Sequence, residues 1–97
     1  MKLQEALDRV MQLSDDDVIF ARPPWTLDAD AEIGPLDADY RVPASIKARG
    51  LAYFLEASVA REVLVVFGER EPTADECRRL IMFYAEHDAY PDWVFES

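Results

Sequence analysis

Carboxylates are the side chains best placed for chemistry in this sequence, and three of them stand at every second position: Asp28, Asp30 and Glu32. This spacing superficially resembles the start of a calcium-binding loop. An EF-hand loop that began at Asp28 would need glycine at its sixth position and glutamate at its twelfth, where this chain has Ile33 and Asp39. Alternation of polar and apolar residues is instead typical of a half-exposed strand. We therefore expect no metal site here and an acidic strand face.

The only cysteine and the only histidine do not form a catalytic pair. Cys77 and His87 lie on one predicted helix, and their separation along it corresponds to about 15 Å of rise, far beyond hydrogen-bond reach. The chain also has no glycine-rich phosphate-binding loop and no serine in a nucleophile-elbow sequence. We therefore expect no catalytic residues and no cofactor. A lone cysteine on an apolar helix stripe is typical of a small buried hydrophobic side chain.

A second group of polar and aromatic residues lies near the C-terminus. Tyr84 and Asp88 are four residues apart on the predicted helix, and Asp88 projects close to the centre of its apolar stripe. Because an unpaired buried charge is costly, this carboxylate must be paired, hydrogen-bonded or beyond the end of the helix. Either it accepts backbone N–H bonds in the turn before Pro91, or it forms a recognition site with Tyr84, Tyr90 and Trp93, residue types that recur in binding hot spots.

The charge of the chain limits its partners. Its 97 residues fit a single domain, residues 1–97, and carry 20 acidic against 10 basic side chains, a net charge of −10. This charge argues against direct nucleic-acid binding and against anionic membrane surfaces, and it favours solubility or a basic protein partner. We find no apolar segment long enough to span a membrane and no signal-peptide core, so the cytoplasm is the expected location.

One long predicted helix is the central element that positions these residues. Thr73 and Glu76 form a capping box at its start, and Pro91 prevents its continuation. Its predicted apolar stripe, with Phe83 on the flank, consists of Ala74, Cys77, Leu80, Ile81, Tyr84 and Ala85.

The rest of the chain predicts a mixture of short helices and strands. Periodicity and turn residues indicate a helix over Lys2–Leu13 with Leu3, Ala6, Leu7, Val10 and Met11 on one face, strands over Asp17–Ala21, Trp25–Ile33 and Leu51–Ala57, and a helical turn over Ala44–Arg49.

Two further segments complete the prediction. Ser58–Gly68 has a β-prone run but also an N-cap at Ser58 and apolar residues at helical spacing, and we predict a helix there. Asp92–Glu96 is predicted to be a last edge strand. The expected fold class is therefore α+β, with a small, mainly antiparallel sheet of three to four strands packed on one face by three helices, and with the acidic face of the second strand open to solvent.

The C-terminal half resembles a group of small acidic bacterial domains of unknown function. The resemblance rests on a strand and short helix followed by a P-T-x-x-E start and an aromatic-x-x-x-D-A-aromatic end. In this chain those positions are Pro72, Thr73, Glu76, Tyr84, Asp88, Ala89 and Tyr90. The resemblance implies a helix for Ser58–Gly68 but no activity or cofactor. By size, charge and fold class the chain is also similar to bacterial toxin-immunity proteins.

These observations favour a non-enzymatic module that binds a basic protein, of an immunity-like or antitoxin-like kind. The expected contact residues are Asp28, Asp30, Glu32, Tyr84, Asp88, Tyr90 and Trp93, with Trp25 as a further aromatic anchor. Two alternatives remain open. One is a small enzyme or ligand-binding domain that uses the carboxylates Asp28, Asp30, Glu32 or Asp88. The other is a DNA mimic whose carboxylates imitate phosphates.

Overall fold

The computed structural model describes residues 1–95. Within them, four α-helices, three strands and three short 3-10 helices make up the regular structure. The helices are Leu3–Asp8 (α1), Ala44–Ala48 (α2), Ala57–Leu64 (α3) and Ala74–His87 (α4); the strands are Val18–Ala21 (β1), Ala31–Gly34 (β2) and Ala52–Glu56 (β3); the 3-10 helices are Val10–Gln12, Val65–Phe67 and Asp92–Phe95.

The sheet is antiparallel, with the spatial order β2-β1-β3. β1 pairs with β2 in an unbroken register from Val18–Gly34 to Ala21–Ala31. Its pairing with β3 contains a bulge, because Ile19 lies opposite Leu55 but the next residue, Phe20, lies opposite Tyr53. The predicted α+β fold with a small antiparallel sheet is therefore confirmed.

The main core lies on the face of the sheet that the helices cover. Ile19 and Ala21 of β1 point to this face, and β-branched and small side chains let α1 approach the sheet closely. The helices α3 and α4 add to the same core, and α4 packs on both α1 and α3. The buried residues of this cluster include Leu3, Ala6, Leu7, Val10, Ile19, Ala21, Phe54, Ala60 and Ile81.

The opposite face of the sheet is not an open acidic surface, so that expectation is wrong. Val18, Phe20 and Leu51 form a second buried cluster there. Because these large apolar side chains would otherwise face water, the loop after β2 and helix α2 fold over them. The side chains that cover the cluster are Leu36, Val42 and Ile46.

The long helix α4 starts as predicted. The Thr73 side chain accepts the backbone N–H of Glu76, and the Glu76 carboxylate accepts the backbone N–H of Thr73 at 3.0 Å. Leu80 and Ile81 are fully buried and Cys77, Phe83, Tyr84 and Ala85 partly buried, whereas Ala74 is exposed. Ala74 was wrongly included in the stripe because, as the first helical residue, it lies beyond the edge of the core.

The helix predicted over Ser58–Gly68 is present, but it begins one residue earlier. Glu56, the last residue of β3, serves as the N-cap of α3, so strand and helix follow each other without a loop. Ser58 therefore lies inside the helix and is not its cap. The final turn tightens into the 3-10 helix Val65–Phe67 and ends at Gly68, whose φ of 61° suits glycine.

The strand predicted over Trp25–Ile33 is wrong for most of its length. Ala29 N–H donates to the carbonyl of Thr26, which closes a turn. The carbonyls of Ala29 and Leu27 accept the N–H groups of Leu3 and Gln4 at 2.8 and 3.0 Å. The carbonyls of this segment therefore accept the N–H groups at the start of α1 that would otherwise be unpaired. The backbone of the segment is not available for a sheet until Ala31.

The N-terminal helix and the C-terminal segment also differ from expectation. α1 ends at Asp8, and Met11 is 65% exposed rather than part of the apolar face. Arg61 of α3 donates to the carbonyls of Val10 and Leu13, both at 2.8 Å, and these bonds replace those of a longer helix. The C-terminal edge strand is wrong because Asp92–Phe95 is a 3-10 helix, while Glu96 lies outside the described residues.

Candidate functional site

The three alternating carboxylates do not form a row along one strand. Only Glu32 lies in β2, whereas Asp28 is in the turn before it and Asp30 forms an isolated bridge with Lys2. Two of the charges are also paired. Asp30 lies 3.5 Å from Lys2 Nζ and 3.2 Å from an Arg22 nitrogen, and Glu32 lies 2.7 Å from Arg49. The predicted acidic face is therefore largely neutralised by its neighbours.

The C-terminal residues that were expected to form one recognition site fall into two groups. The rings of Tyr84 and Tyr90 lie 5.5 Å apart, and Asp88 lies between these two residues in the chain, at the end of α4. Trp93 instead packs near Phe67, at a ring distance of 6.3 Å, and under the guanidinium of Arg79 at 4.8 Å. Trp93 lines a separate cavity with Leu27, Arg79, Met82, Phe83 and Glu86.

Asp88 acts as the C-cap of α4 through its backbone. Its φ of 51° and ψ of 38° are left-handed, and its N–H donates to the Tyr84 carbonyl at 2.8 Å. Aspartate tolerates this conformation better than most residues. The side chain is exposed beyond the end of the helix, one of the arrangements expected for this carboxylate, and within residues 1–95 it forms no salt bridge.

A groove of about 420 Å³ brings Tyr84 and Asp88 together with residues of the sheet. Trp25 is held at one side of it, because its indole Nε1 donates to the Ala21 carbonyl at 3.3 Å and its ring meets Phe54 edge to face at 4.9 Å. We call this site the edge groove. It is lined by Trp25, Tyr53, Phe54, Leu55, Val59, Tyr84, Ala85 and Asp88.

The edge groove opens on the unpaired edge of β3. Tyr53 lies opposite Phe20 and Leu55 lies opposite Ile19, so their side chains point to opposite faces of the sheet. Both residues nevertheless border the same groove. A single cavity can contact both only where it reaches the edge of the strand. β3 is the last strand of the sheet on this side, and β1 is its only partner strand within the described residues.

The electrostatics of the edge groove favour a cation. Partial burial, followed by the negative charge of Asp88, raises the pKa of Tyr84, with smaller contributions from Tyr90 and Glu62. Burial and the Glu56 carboxylate raise the pKa of Tyr53, whose hydroxyl lies 3.3 Å from Glu56 Oε1. Both tyrosines therefore stay neutral at physiological pH and add ring faces beside carboxylates. None of the residues that line the groove is basic.

Three further cavities along residues 1–95 are less suited to a basic partner or have fewer aromatic residues in their lining. The cavity at Trp93 contains Arg79, and one at Asp28 and Asp30 contains Lys2 and Arg22. A third cavity, of about 380 Å³, carries several carboxylates, one of which, Asp15, is paired with Arg61. We call it the acidic cavity; it is lined by Asp15, Asp16, Val18, Pro35, Leu36, Asp37, Tyr40 and Glu56.

The one thiol and the one imidazole of the chain both lie on α4. Burial, with the charges of Glu76 and Asp8, raises the pKa of the Cys77 thiol, which makes it a weaker nucleophile at neutral pH. His87 contacts Glu86 at 3.7 Å and the ring of Phe83. Among residues 1–95, no group of three or more histidine, cysteine or acidic side chains is arranged to hold a metal ion. Within the same residues, no helix has the length and apolar character needed to cross a bilayer.

Sequence reasoning missed Tyr53, Phe54 and Glu56 as site residues. They lie in a strand that was correctly predicted, but the sequence carries no signal that this strand stands at the edge of the sheet. Searches against protein-family models, curated proteins and solved structures found no match to this chain.

Proposed function

We propose that this protein is a non-enzymatic module that binds a basic region of another protein at the edge groove. The observation that carries the proposal is the combination, in one groove, of aromatic residues with the exposed carboxylate of Asp88 and with no basic residue in the lining. Guanidinium and ammonium groups are attracted to aromatic ring faces and to carboxylates, and the two contributions add in such a site.

The aromatic residues contribute binding energy, and the net charge raises the rate of association. Tyrosine and tryptophan recur in binding hot spots because they bury large areas with few rotatable bonds. Each cation–aromatic contact contributes about 0.5–2 kcal/mol, depending on how far it is removed from water. The net charge of −10 would speed the approach of a basic partner, an effect that salt weakens.

This proposal moves the contact surface away from part of the predicted set. Tyr84 and Asp88 remain in it with the expected anchor Trp25, and Tyr90 packs on Tyr84, whereas Trp93 lines a separate cavity. Asp30 and Glu32 contribute less than expected, because Lys2, Arg22 and Arg49 already neutralise them. The immunity-like role stays a prediction, since it depends on the identity of the partner.

The proposal is tested by capture with a matched pair of variants. Wild-type protein, Asp88→Asn and Asp28→Asn are immobilised and exposed to an extract of the producing cells at physiological salt. The last two variants each lose one unpaired exposed charge, but only Asp88 lines the edge groove. Any protein that is captured is then identified, purified and titrated against the three forms.

We expect a basic protein that binds wild type and Asp28→Asn equally and binds Asp88→Asn several-fold more weakly. Equal affinity for all three forms would contradict the edge groove as the binding site. A partner with no basic region, or the absence of any partner, would contradict the proposed function itself.

A further inference from the structure

We infer that the partner binds by strand addition: an extended basic peptide segment pairs with the unpaired edge of β3 and becomes the fourth strand of the sheet. This inference rests on the proposed function, and it adds the backbone conformation of the partner and the edge to which it pairs. Strand addition uses main-chain hydrogen bonds for affinity and alternate side chains for specificity.

The two edges of the sheet differ in how far each is already paired. The start of the chain covers the outer edge of β2 at Ala31, because Ala31 N–H donates to the Met1 carbonyl at 2.8 Å and Lys2 forms a bridge with Asp30. No strand covers the outer edge of β3: within residues 1–95, Ala52–Glu56 pairs with β1 alone. The bulge in the β1–β3 pairing interrupts this edge, and the N–H and C=O groups on either side of the bulge are those that an added strand would use.

The surroundings of this edge match a basic strand on both faces. Side chains of an added strand alternate between the two faces of the sheet. On the helix-covered face they meet the edge groove, with Trp25, Tyr84 and Asp88. On the opposite face they meet Glu56, which hydrogen-bonds Tyr53 and also borders the acidic cavity. Lysine or arginine at alternate positions of the added segment is therefore accommodated on the groove face, beside both the aromatic rings and Asp88.

Length and charge identify the occupant. β3 has five residues, which corresponds to about 17 Å of extended chain and to a peptide segment of similar length. A second copy of this protein could also pair with the edge, but it would bring a second charge of −10 against the first. Repulsion between two such chains disfavours self-pairing, whereas a basic segment is attracted. We therefore assign the edge to a basic peptide and not to a second copy.

The experiment uses defined peptides as probes. The first probe is a capped peptide of about eight residues that alternates valine and arginine, long enough to cover β3. A second peptide has the same sequence with N-methyl groups on its two central residues, whose N–H groups point to opposite edges of an extended chain. A third peptide carries glutamate in place of arginine. Each is titrated by calorimetry against wild type, Asp88→Asn and Asp28→Asn, and amide hydrogen exchange of Ala52–Glu56 is measured with and without peptide.

We expect the arginine peptide to bind wild type, to slow exchange within Ala52–Glu56, and to lose several-fold in affinity with Asp88→Asn but not with Asp28→Asn. The N-methylated peptide should bind at least about tenfold more weakly, because it cannot form the ladder on either edge. The glutamate peptide should not bind. Sedimentation should show that the protein alone is monomeric.

The outcomes separate this inference from the proposed function. If the N-methylated peptide binds as well as the parent and both depend on Asp88, strand addition is wrong while a basic partner at the edge groove stands. If the protein alone forms a dimer that protects Ala52–Glu56, the second copy is the occupant and strand addition by a basic peptide is wrong. If no arginine peptide binds, or if binding ignores Asp88, both proposals fail.

Discussion

At the scale of single residues, Asp88 has two roles that substitution can separate. Its backbone takes the left-handed conformation that ends α4, with φ at 51°, and its carboxylate stands at the edge groove. Asparagine keeps the preference for this conformation and removes the charge, whereas alanine loses both.

Asp88→Ala should therefore reduce the free energy of unfolding by about 1 kcal/mol through strain at the C-cap, and Asp88→Asn should leave it nearly unchanged. Urea unfolding of both variants checks this expectation. Equal destabilisation by asparagine and alanine would mean that the carboxylate, not the backbone conformation, stabilises the end of α4.

The raised pKa of Tyr84 predicts a loss of stability in alkali. Burial and the charge of Asp88 both disfavour the phenolate in the folded protein, so the folded state holds the proton more tightly than the unfolded chain. The resulting stabilisation is fully present below the ordinary tyrosine pKa of about 10 and is lost as pH rises through the higher folded value.

Urea midpoints between about pH 9 and pH 11 test this contribution, a window set by the ordinary tyrosine pKa. The fall in stability over that window should be smaller in Tyr84→Phe than in wild type, because phenylalanine has no proton to lose. Tyr40→Phe is the matched control, since Tyr40 is 85% exposed. If the two variants lose stability to the same extent as wild type, Tyr84 does not titrate with a raised pKa.

At the scale of elements, α3 is held to the N-terminal segment by one side chain. Arg61 donates to the carbonyls of Val10 and Leu13 and pairs with Asp15, so it completes the backbone hydrogen bonding where α1 stops short.

Arg61→Met should cost about 1–3 kcal/mol of stability, because it leaves two partly buried carbonyls without donors. Arg9→Met removes an exposed arginine and should change stability by less than about 0.5 kcal/mol. Chemical unfolding of the pair provides the measurement. Similar losses for both would show that the general charge balance matters more than the two carbonyls.

The long helix α4 depends on its buried stripe. Leu80 and Ile81 are fully buried, so Leu80→Ala should destabilise the protein by about 2–5 kcal/mol. The exposed Val65 supplies the control, and Val65→Ala should lie within about 0.5 kcal/mol of wild type. A urea midpoint for Leu80→Ala equal to that of wild type would contradict the assignment of the core.

Local sequence signals predicted those elements whose causes are local. The capping box of α4 and the strand β1 both depend on residues within a few positions of each other. The errors arise where backbone groups form hydrogen bonds with a distant part of the chain. Trp25–Asp30 alternates like a strand, but its carbonyls bond α1, and the extension of α1 is replaced by bonds from Arg61.

The candidate site was predicted only in part for the same reason. Tyr84 and Asp88 are neighbours on one helix, so spacing alone brought them together. Trp25 and β3 lie beside these two residues only because of the order of the strands in the sheet. The ion pairs of Asp30 and Glu32 with Lys2, Arg22 and Arg49 likewise depend on the tertiary structure. Net charge is a property of composition, but which charges remain unpaired is a property of the tertiary structure.

At the scale of the whole molecule, the acidic character is unevenly distributed. Ion pairs neutralise Asp30 and Glu32 near the β2 edge of the sheet. On the β3 side, Asp88 lines the edge groove, whose lining contains no basic residue, and Glu56 borders the acidic cavity. A basic partner would therefore approach an anionic molecule from any direction but would find unpaired carboxylates beside aromatic rings at one edge. Salt should slow this approach more than it speeds dissociation.

The most direct test of this account is a map of backbone amide chemical shifts in isotope-labelled protein during titration with the alternating valine–arginine peptide. The account predicts that the largest changes fall on Ala52–Glu56, on Tyr84–Asp88 and on the Trp25 indole, with little change at Asp28 or at Tyr40. Changes centred on the acidic cavity around Tyr40, or spread evenly over the exposed carboxylates, would contradict binding at the edge groove.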